Sequence, residues 1–108
     1  MLKRNDFQRV KLTGRNRHTA HFIVSLAAND LNRPRLGVVA TKKLGKAVQR
    51  NRVKRLLREF FRLHKGVLPP HDIVIIAKRN AAGLTYADIQ AELEAVLALP
   101  EKTGGIGG

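Results

Sequence analysis

The organisation of this chain is decided by one stretch of its sequence, Leu44-Gly45-Lys46-Ala47-Val48-Gln49-Arg50-Asn51-Arg52-Val53-Lys54-Arg55-Leu56-Leu57-Arg58, whose pattern continues to His64. Its apolar residues Val53, Leu56, Leu57, Phe60 and Phe61 follow the i, i+3, i+4, i+7, i+8 spacing of an amphipathic helix. At about 100° per residue, a second set falls on a separate arc of about 140°: Arg50, Asn51, Lys54, Arg55, Arg58 and Arg62. The stretch predicts a helix from about Val48 to His64 that packs by one face and presents guanidinium groups on another.

Strand patterns flank this helix. Residues 36–41 form an apolar run before it, and residues 21–27 show period-two alternation of Phe22, Val24 and Leu26. Gly66 and the Pro69-Pro70 pair stop the helix. The run 73–77 is apolar without alternation, which predicts an interior strand covered on both faces.

Two further helices are predicted near the ends of the chain. The first covers about residues 5–10, with Asn5 and Gln8 as a capping box, Phe7 and Val10 on its apolar face and Gly14 at its end. Residues 79–83 are predicted as a loop. The last helix opens with a Thr85–Asp88 capping box, buries the stripe Ile89, Leu93, Val96 and Leu97, and ends at Pro100.

The predicted order is α-β-β-(β)-α-β-α, with the number of early strands left open, in one α+β domain over residues 1–100. Residues 101–108 are predicted to form a flexible tail because they are rich in glycine.

The charge of the chain is strongly positive and unevenly distributed. Residues 1–78 hold 19 basic and 4 acidic side chains, whereas residues 79–108 hold 2 and 4. Residues 42–65 contain ten basic groups and Glu59 as their only acidic neighbour. Because like charges repel along a helix, this density predicts a polyanionic partner, a nucleic acid or an anionic membrane, and binding of nucleic acid is favoured over a merely solvated face.

Several classes of protein are excluded by composition. The absence of Cys rules out a disulfide scaffold, a zinc ribbon and a thiol nucleophile. No apolar run approaches the roughly 18 residues needed to span a bilayer, and the first residues lack the apolar segment of a secretory signal. The four histidines show no zinc spacing, and the carboxylates are scattered singly. We therefore expect a soluble, intracellular, cytoplasmic domain with no metal site and no catalytic residues of its own.

The stretch 44–58 also resembles the signature of the bacterial ribonuclease P protein family. That signature asks for an apolar residue, two spacers, Ala, two spacers, Arg-Asn-Arg/Lys-apolar-Lys-Arg and a further apolar-basic pair. The positions that satisfy it are Leu44, Ala47, Arg50, Asn51, Arg52, Val53, Lys54, Arg55, Leu57 and Arg58. Residues 6–10, 36–43 and 72–78 look like the family's first helix, the strand that feeds the basic helix, and the buried fourth strand.

The resemblance implies an α-β-β-β-α-β-α fold with a central mixed sheet and a left-handed βαβ crossover, as in some ribosomal proteins. It also implies the small subunit of a ribonucleoprotein in which RNA and magnesium remove the 5′ leader from precursor tRNA. One protein per RNA subunit is expected. The implied RNA-subunit contacts are Lys42, Lys43, Lys46, Arg50, Asn51, Arg52, Lys54, Arg55, Arg58 and Arg62.

A cleft between the first helix and the sheet is implied to guide the single-stranded leader. Its implied contacts are Phe7, Lys11, Ile23, Ser25, Ala77 and Lys78. Lys11 and Ser25 depart from the family, which usually carries aromatic residues at these two positions. We therefore expect recognition of the leader to be more electrostatic and less sensitive to base identity.

Three alternatives remain open at this point. A ribosomal or RNA-chaperoning protein would account for the charge and the fold but not for the full signature. A free-standing nuclease would need a carboxylate set that the sequence does not show. In a helix-inserting DNA regulator, the recognition helix would normally follow another helix, whereas a strand precedes this one.

Overall fold

A computed structural model describes residues 4–97 of the chain. The helices and strands in this range are α1 (Arg4–Thr13), β1 (Arg15–His18), β2 (Phe22–Ala28), β3 (Arg35–Val39), α2 (Ala47–His64), β4 (His71–Ala77) and α3 (Tyr86–Leu97). Short 3-10 turns cover Lys42–Leu44 and Arg79–Gly83. The predicted tail at 101–108 and the predicted helix end at Pro100 lie outside the described residues.

The four strands form one mixed sheet in the order β1-β2-β4-β3. β2 pairs antiparallel with both β1 and β4, while β3 and β4 are parallel neighbours joined through α2. This connection is the βαβ unit for which the resemblance implies a left-handed crossover. The apolar run 73–77 lies in β4 between two other strands, which confirms the interior strand predicted from its lack of alternation.

The larger core lies on the face of the sheet that carries α2 and α3. Val53, Leu57 and Phe60 of α2 pack there with Ile89 and Leu93 of α3, and all five are buried. They meet a row of sheet side chains: Phe22, Val24, Leu36, Ile73, Ile75 and Ala77. The apolar stripe predicted for the basic helix is therefore its packing face, and Phe60 is a core residue.

The opposite face of the sheet carries α1 and a smaller cluster. Val10 of α1 packs against Ala27 and Val74, with Phe7 and Ile76 partly buried beside them. Gly14 ends the helix where its backbone passes the carbonyl oxygens of Val10 and Leu26, and a Cβ there would lie 2.7 Å from the Leu26 oxygen. The shared apolar face of Phe7 and Val10 is confirmed.

The capping box of α3 is confirmed as well. The Thr85 N–H donates to Asp88 Oδ2 at 3.0 Å, and the Asp88 N–H donates to Thr85 Oγ1 at 3.2 Å. The hydrogen bonds from the Thr85 backbone and side chain hold the pKa of Asp88 below its ordinary value.

Two local predictions differ from the structure, and one strand was left open by the sequence. Asn5 lies inside α1 instead of capping it, because the helix already includes Arg4. Residues 79–83, predicted as a loop, form a 3-10 turn. The sequence pattern left β1 undecided because all four of its residues are polar and exposed, so this edge strand has no apolar alternation.

Candidate nucleic-acid interface

The start of α2 is shaped by the glycine and glutamine of the signature stretch. Gly45 has φ of 151°, in the region that favours glycine, and a side chain there would collide with Gln49. The Lys46 N–H donates to Gln49 Oε1 at 2.8 Å, which caps the first turn of the helix. Gly45 therefore shapes the turn that precedes the basic helix.

The ten predicted RNA-subunit contacts fall into two groups, according to whether their side chains form hydrogen bonds or ion pairs within the protein. Arg50 donates to the Gly45 carbonyl at 2.8 Å, Arg52 donates to the Ala82 carbonyl at 3.3 Å, and Arg62 forms a two-bond ion pair with Glu59. Within residues 4–97 the other seven have no side-chain hydrogen bond or ion pair: Lys42, Lys43, Lys46, Asn51, Lys54, Arg55 and Arg58. Their donors are available to a ligand.

The ion pair between Glu59 and Arg62 lies at the border of this cationic surface. Hydrogen bonds from Arg62, with its positive charge, hold the pKa of Glu59 below its ordinary value. The same pair raises the pKa of Arg62. Both side chains remain largely exposed, so the pair offsets local charge without contributing much stability.

A cleft lies between α1 and the sheet, and we call it the α1 cleft. Its volume is about 580 Å³. The apolar lining comes from Phe7 of α1 and from Val39, Val74 and Ile76 of the sheet. The polar lining comes from Arg4, Gln8, Lys11 and Ser25. This apolar floor, with the cations of Arg4 and Lys11 beside it, suits a single-stranded nucleic acid. Such a ligand offers phosphates to the cations and flat bases to the apolar floor.

Strand register explains which predicted residues reach the α1 cleft. Ser25 is opposite Val74, and Ile23 is opposite Ile76, so these side chains share the face that carries α1. Phe7, Lys11 and Ser25 line the cleft, and Ile23 lies beside Ile76 on the same face.

The prediction that Ala77 lines this cleft is wrong. Side chains alternate along β4, so Ala77 points to the opposite face, where it is buried in the core with Phe22. Lys78 follows the strand and donates from Nζ to the Thr19 carbonyl at 2.5 Å. Its ammonium group therefore holds the turn between β1 and β2.

The sequence prediction also missed residues that line the α1 cleft. Arg4, Gln8, Val39, Val74 and Ile76 were not assigned to it. Gln8 and Lys11 lie three apart on α1, near Phe7, so helical spacing could have suggested Arg4 and Gln8. The sheet residues depend on the register of β3 and β4, which no local pattern reveals.

A buried carboxylate fixes α1 to the sheet beside the cleft. Asp72 of β4 is fully buried and accepts hydrogen bonds from Arg35 Nε and Nη2, both at 2.8 Å, and from Asn29 Nδ2 at 2.9 Å. Arg9 of α1 also pairs with Asp72 and donates to the Ala28 carbonyl at 3.1 Å. Burial alone would raise the pKa of Asp72, but the bonds from Arg35 and Asn29 outweigh it and lower the pKa. We call this cluster the Asp72 brace.

Nowhere in residues 4–97 do three or more His, Asp or Glu side chains come together in a group that could hold a metal ion. No helix in that range combines the length and the apolar character that crossing a bilayer requires.

Comparison with known proteins gives one consistent answer. The family model of ribonuclease P matches residues 1–100. The chain is 48% identical over 96 residues to the ribonuclease P protein component of Syntrophus aciditrophicus, covering 88% of this chain and 81% of that protein. It is 43% identical over 98 residues to the component of Staphylococcus epidermidis, covering 89% and 85%.

Solved structures agree with this result. The RNase P protein of Staphylococcus aureus superposes with a TM-score of 0.84 at 39% identity, covering 91% of each chain. The RNase P protein of Thermotoga maritima, in complex with a fluorophenyl thiourea, gives 0.85 at 34% identity, covering 94% of this chain and 100% of that one. The chain therefore belongs to the bacterial ribonuclease P protein family, the protein subunits of a tRNA-processing endoribonuclease in which RNA carries catalysis.

Proposed function

We propose that the α1 cleft binds the single-stranded 5′ leader of precursor tRNA while the outer face of α2 binds the RNA subunit. The observation that carries this proposal is the separation of the two surfaces. The cleft lies on the α1 face of the sheet, and the unpaired cations of α2 belong to a helix packed on the other face. One protein can therefore contact both RNAs at once.

The lining of the α1 cleft supports a single-stranded ligand over a duplex. Phe7 is partly buried with its neighbours on the cleft floor, where an unpaired base can stack against its ring. Lys11 is exposed at the cleft and offers its ammonium group to a phosphate. Ser25 is small, and its hydroxyl group donates to Asn16 of β1, so the floor stays open at this point.

The unpaired cations of α2 support binding of a large RNA surface. Asn51, Arg55 and Arg58 are exposed on the outer arc of the helix. The guanidinium fork matches two phosphate oxygens at once, and Asn51 adds a directional amide. Lys42, Lys43 and Lys46 extend this surface before the helix begins.

The protein's part in the reaction is to bind and position RNA. The magnesium ions belong to the active site of the RNA subunit, where they supply the charge stabilisation for phosphodiester hydrolysis. Bound protein lowers the magnesium concentration that cleavage requires, because its cations offset repulsion between the RNA subunit and the leader. We expect one protein per RNA subunit, acting in the cytoplasm, where bacterial precursor tRNA is made.

Reconstitution tests this function directly. Cleavage of precursor tRNA at low magnesium would be measured with a bacterial ribonuclease P RNA, with and without the protein. We expect cleavage at the mature 5′ end that requires both. Tight RNA binding without stimulation would instead favour an RNA chaperone, and cleavage by the protein alone would indicate a nuclease site that we have missed.

A further inference from the structure

A second cavity lies at the edge of the sheet formed by β3 and shares no lining residue with the α1 cleft. It has a volume of about 720 Å³ and runs between the turn that leads into β3 and the C-terminal half of α2. Arg33 and Arg35 line one side, and Arg58, Phe61 and Lys65 line the other. We call this cavity the edge groove. Of its residues, only Arg58 belongs to the signature of α2.

The charge of the edge groove is positive and uncompensated. No Asp or Glu is among its lining residues. Arg35 is committed to Asp72 and Asp6, so it does not offer a free charge. Arg33, Arg58 and Lys65 are exposed, and within residues 4–97 none of the three has an ion pair. Three free cations therefore converge on one concave surface.

The side of the groove that carries Arg33 is held in place by side-chain hydrogen bonds. Asn29 donates to the Arg33 carbonyl at 2.9 Å and to Asp72 at 2.9 Å, and it accepts from the Leu31 N–H. Asn29 thus connects the turn to the Asp72 brace by hydrogen bonds. A fastened turn loses less conformational entropy when a ligand binds than a free loop would.

The other side of the groove is formed by the C-terminal part of α2 and the residues that follow it. The ring of Phe61 is partly buried against the core, and the Lys65 ammonium lies 5.9 Å from its centroid. From Asn51 to Lys65 the helix rises about 20 Å. The free cations of the groove therefore continue the cationic surface of α2 beyond the end of the signature.

We propose that the edge groove binds a phosphodiester strand of the RNA subunit through Arg33, Arg58 and Lys65. This inference rests on the proposed binding of that RNA by α2 and extends the contact to the β3 edge of the sheet. A strand of RNA fits the groove because it is polyanionic and because its bases and riboses can contact the ring of Phe61. The edge groove and the α1 cleft share no lining residue, so the leader does not compete for the groove.

The first test is the salt dependence of binding to a bacterial ribonuclease P RNA transcript. We expect the double substitution Arg33→Ala with Lys65→Ala to weaken binding and to reduce the slope of log K against log salt by about 1.4 to 1.8. The matched control is Arg15→Ala with Arg79→Ala, which removes the same charge from two exposed residues outside the groove. A slope change no larger than that of the control would overturn the proposal. Melting curves verify that all variants fold.

A second test locates the contact on the RNA. The chain has no cysteine, so Lys65→Cys can carry a single iron chelate that cleaves nearby RNA. We expect cuts confined to one segment of the RNA subunit, whether or not precursor tRNA is present. Cuts in precursor tRNA alone, or no cuts, would contradict the proposal.

A third variant separates this inference from the function proposed for α2. Arg55→Ala removes a cation of the signature and leaves the groove intact. If Arg55→Ala binds the RNA normally while the groove variant binds weakly, the proposal for α2 is wrong and the proposal for the edge groove is supported. If Arg55→Ala binds weakly while the groove variant binds normally, only the proposal for the edge groove is wrong.

Discussion

The two faces of the sheet are covered unequally. α2 and α3 together close one face with a continuous apolar core that includes Phe22, Phe60 and Ile75. The other face carries only α1, whose buried contacts centre on Val10, and the α1 cleft is left open beside it. The comparison shows that the larger core and the open cleft lie on opposite faces, because a sheet face covered by a single short helix keeps part of its apolar surface uncovered.

The two faces also differ in how their helices are held. α2 is held by apolar packing, whereas α1 is held both by the packing of Val10 and by the Asp72 brace, in which Arg9 reaches a buried carboxylate. Apolar packing is insensitive to pH, and an ion pair is not. Substitutions on the two faces should therefore differ in size, in pH dependence and in their effect on RNA binding.

The largest effect on stability is expected from Phe60→Ala. Phe60 is 1% exposed in the larger core and stacks on His64 with ring centroids 4.0 Å apart. Loss of its ring should lower the free energy of unfolding by about 3–5 kcal/mol. Chemical denaturation measures this change. Weak RNA binding with an unchanged unfolding midpoint would contradict the assignment of Phe60 to the core.

A somewhat smaller effect is expected from Asp72→Asn. The substitution leaves Arg9 and Arg35 without their shared carboxylate and should cost about 2–3 kcal/mol at neutral pH. The pKa of Asp72 is lowered in the folded state, so its contribution is complete above the ordinary value of 3.8 and is lost as the pH falls through the lower, folded-state value.

Denaturation at several pH values measures this difference. The stability of the Asn variant should approach that of the original protein in acid, because protonation removes the same charge from Asp72. A stability difference that stays constant down to the acid transition would show that the charge of Asp72 is not what holds α1.

Phe7→Ala should mainly affect ligand binding, because Phe7 is at the cleft on the sparsely covered face. Loss of a stacking ring should reduce affinity for precursor tRNA by about 1–3 kcal/mol. The effect should vanish with a substrate that lacks the leader, which serves as the control. An equal loss for both substrates would indicate that Phe7 acts through the fold.

Arg55→Ala tests whether the two sides of α2 act separately. Its side chain is exposed on the arc opposite the apolar stripe, so stability should not change. The slope of log K against log salt for the RNA subunit should fall by about one ion. Arg79→Ala, also exposed, is the matched control, and an equal fall for both would remove Arg55 from the interface.

The smallest effect is expected from Lys11→Ala. The resemblance implies an aromatic residue at the position of Lys11, and we expect Lys11 to contact a phosphate of the leader instead. The substitution should reduce the part of the affinity that depends on the leader, but by less than Phe7→Ala reduces it. This loss should become smaller at high salt, because salt screens the contact between the ammonium group and the phosphate. An unchanged affinity for the leader would end the proposal of electrostatic recognition.

The predictions from sequence were good where one element carries its own pattern. The periodicity of Val53, Leu57 and Phe60 marked the buried side of α2, and the Thr85–Asp88 spacing marked the start of α3. The predictions were incomplete where an element forms only by pairing with another element farther along the chain. β1 is a strand only because Arg15–His18 pairs with residues 23–26 of β2, and its own residues are polar.

The same distinction explains the cleft. Phe7, Lys11 and Ser25 were placed there through resemblance to a family, and the structure brings them together. Ala77 was placed there too, but the alternation of β4 turns it into the opposite core. A shift of one residue along a strand moves the side chain to the other face of the sheet. A residue that lies near a site along the chain can therefore point away from it.

The chain's own pattern therefore decides its charge, the elements with strong periodicity, and the cationic arc of α2, because each depends on neighbours a few residues away. Only tertiary structure decides the cleft floor of Val39, Val74 and Ile76, the Asp72 brace and the edge groove. Each of these joins residues from separate elements. The strand order β1-β2-β4-β3 brings them together, and that order depends on burying both faces of the whole sheet at once.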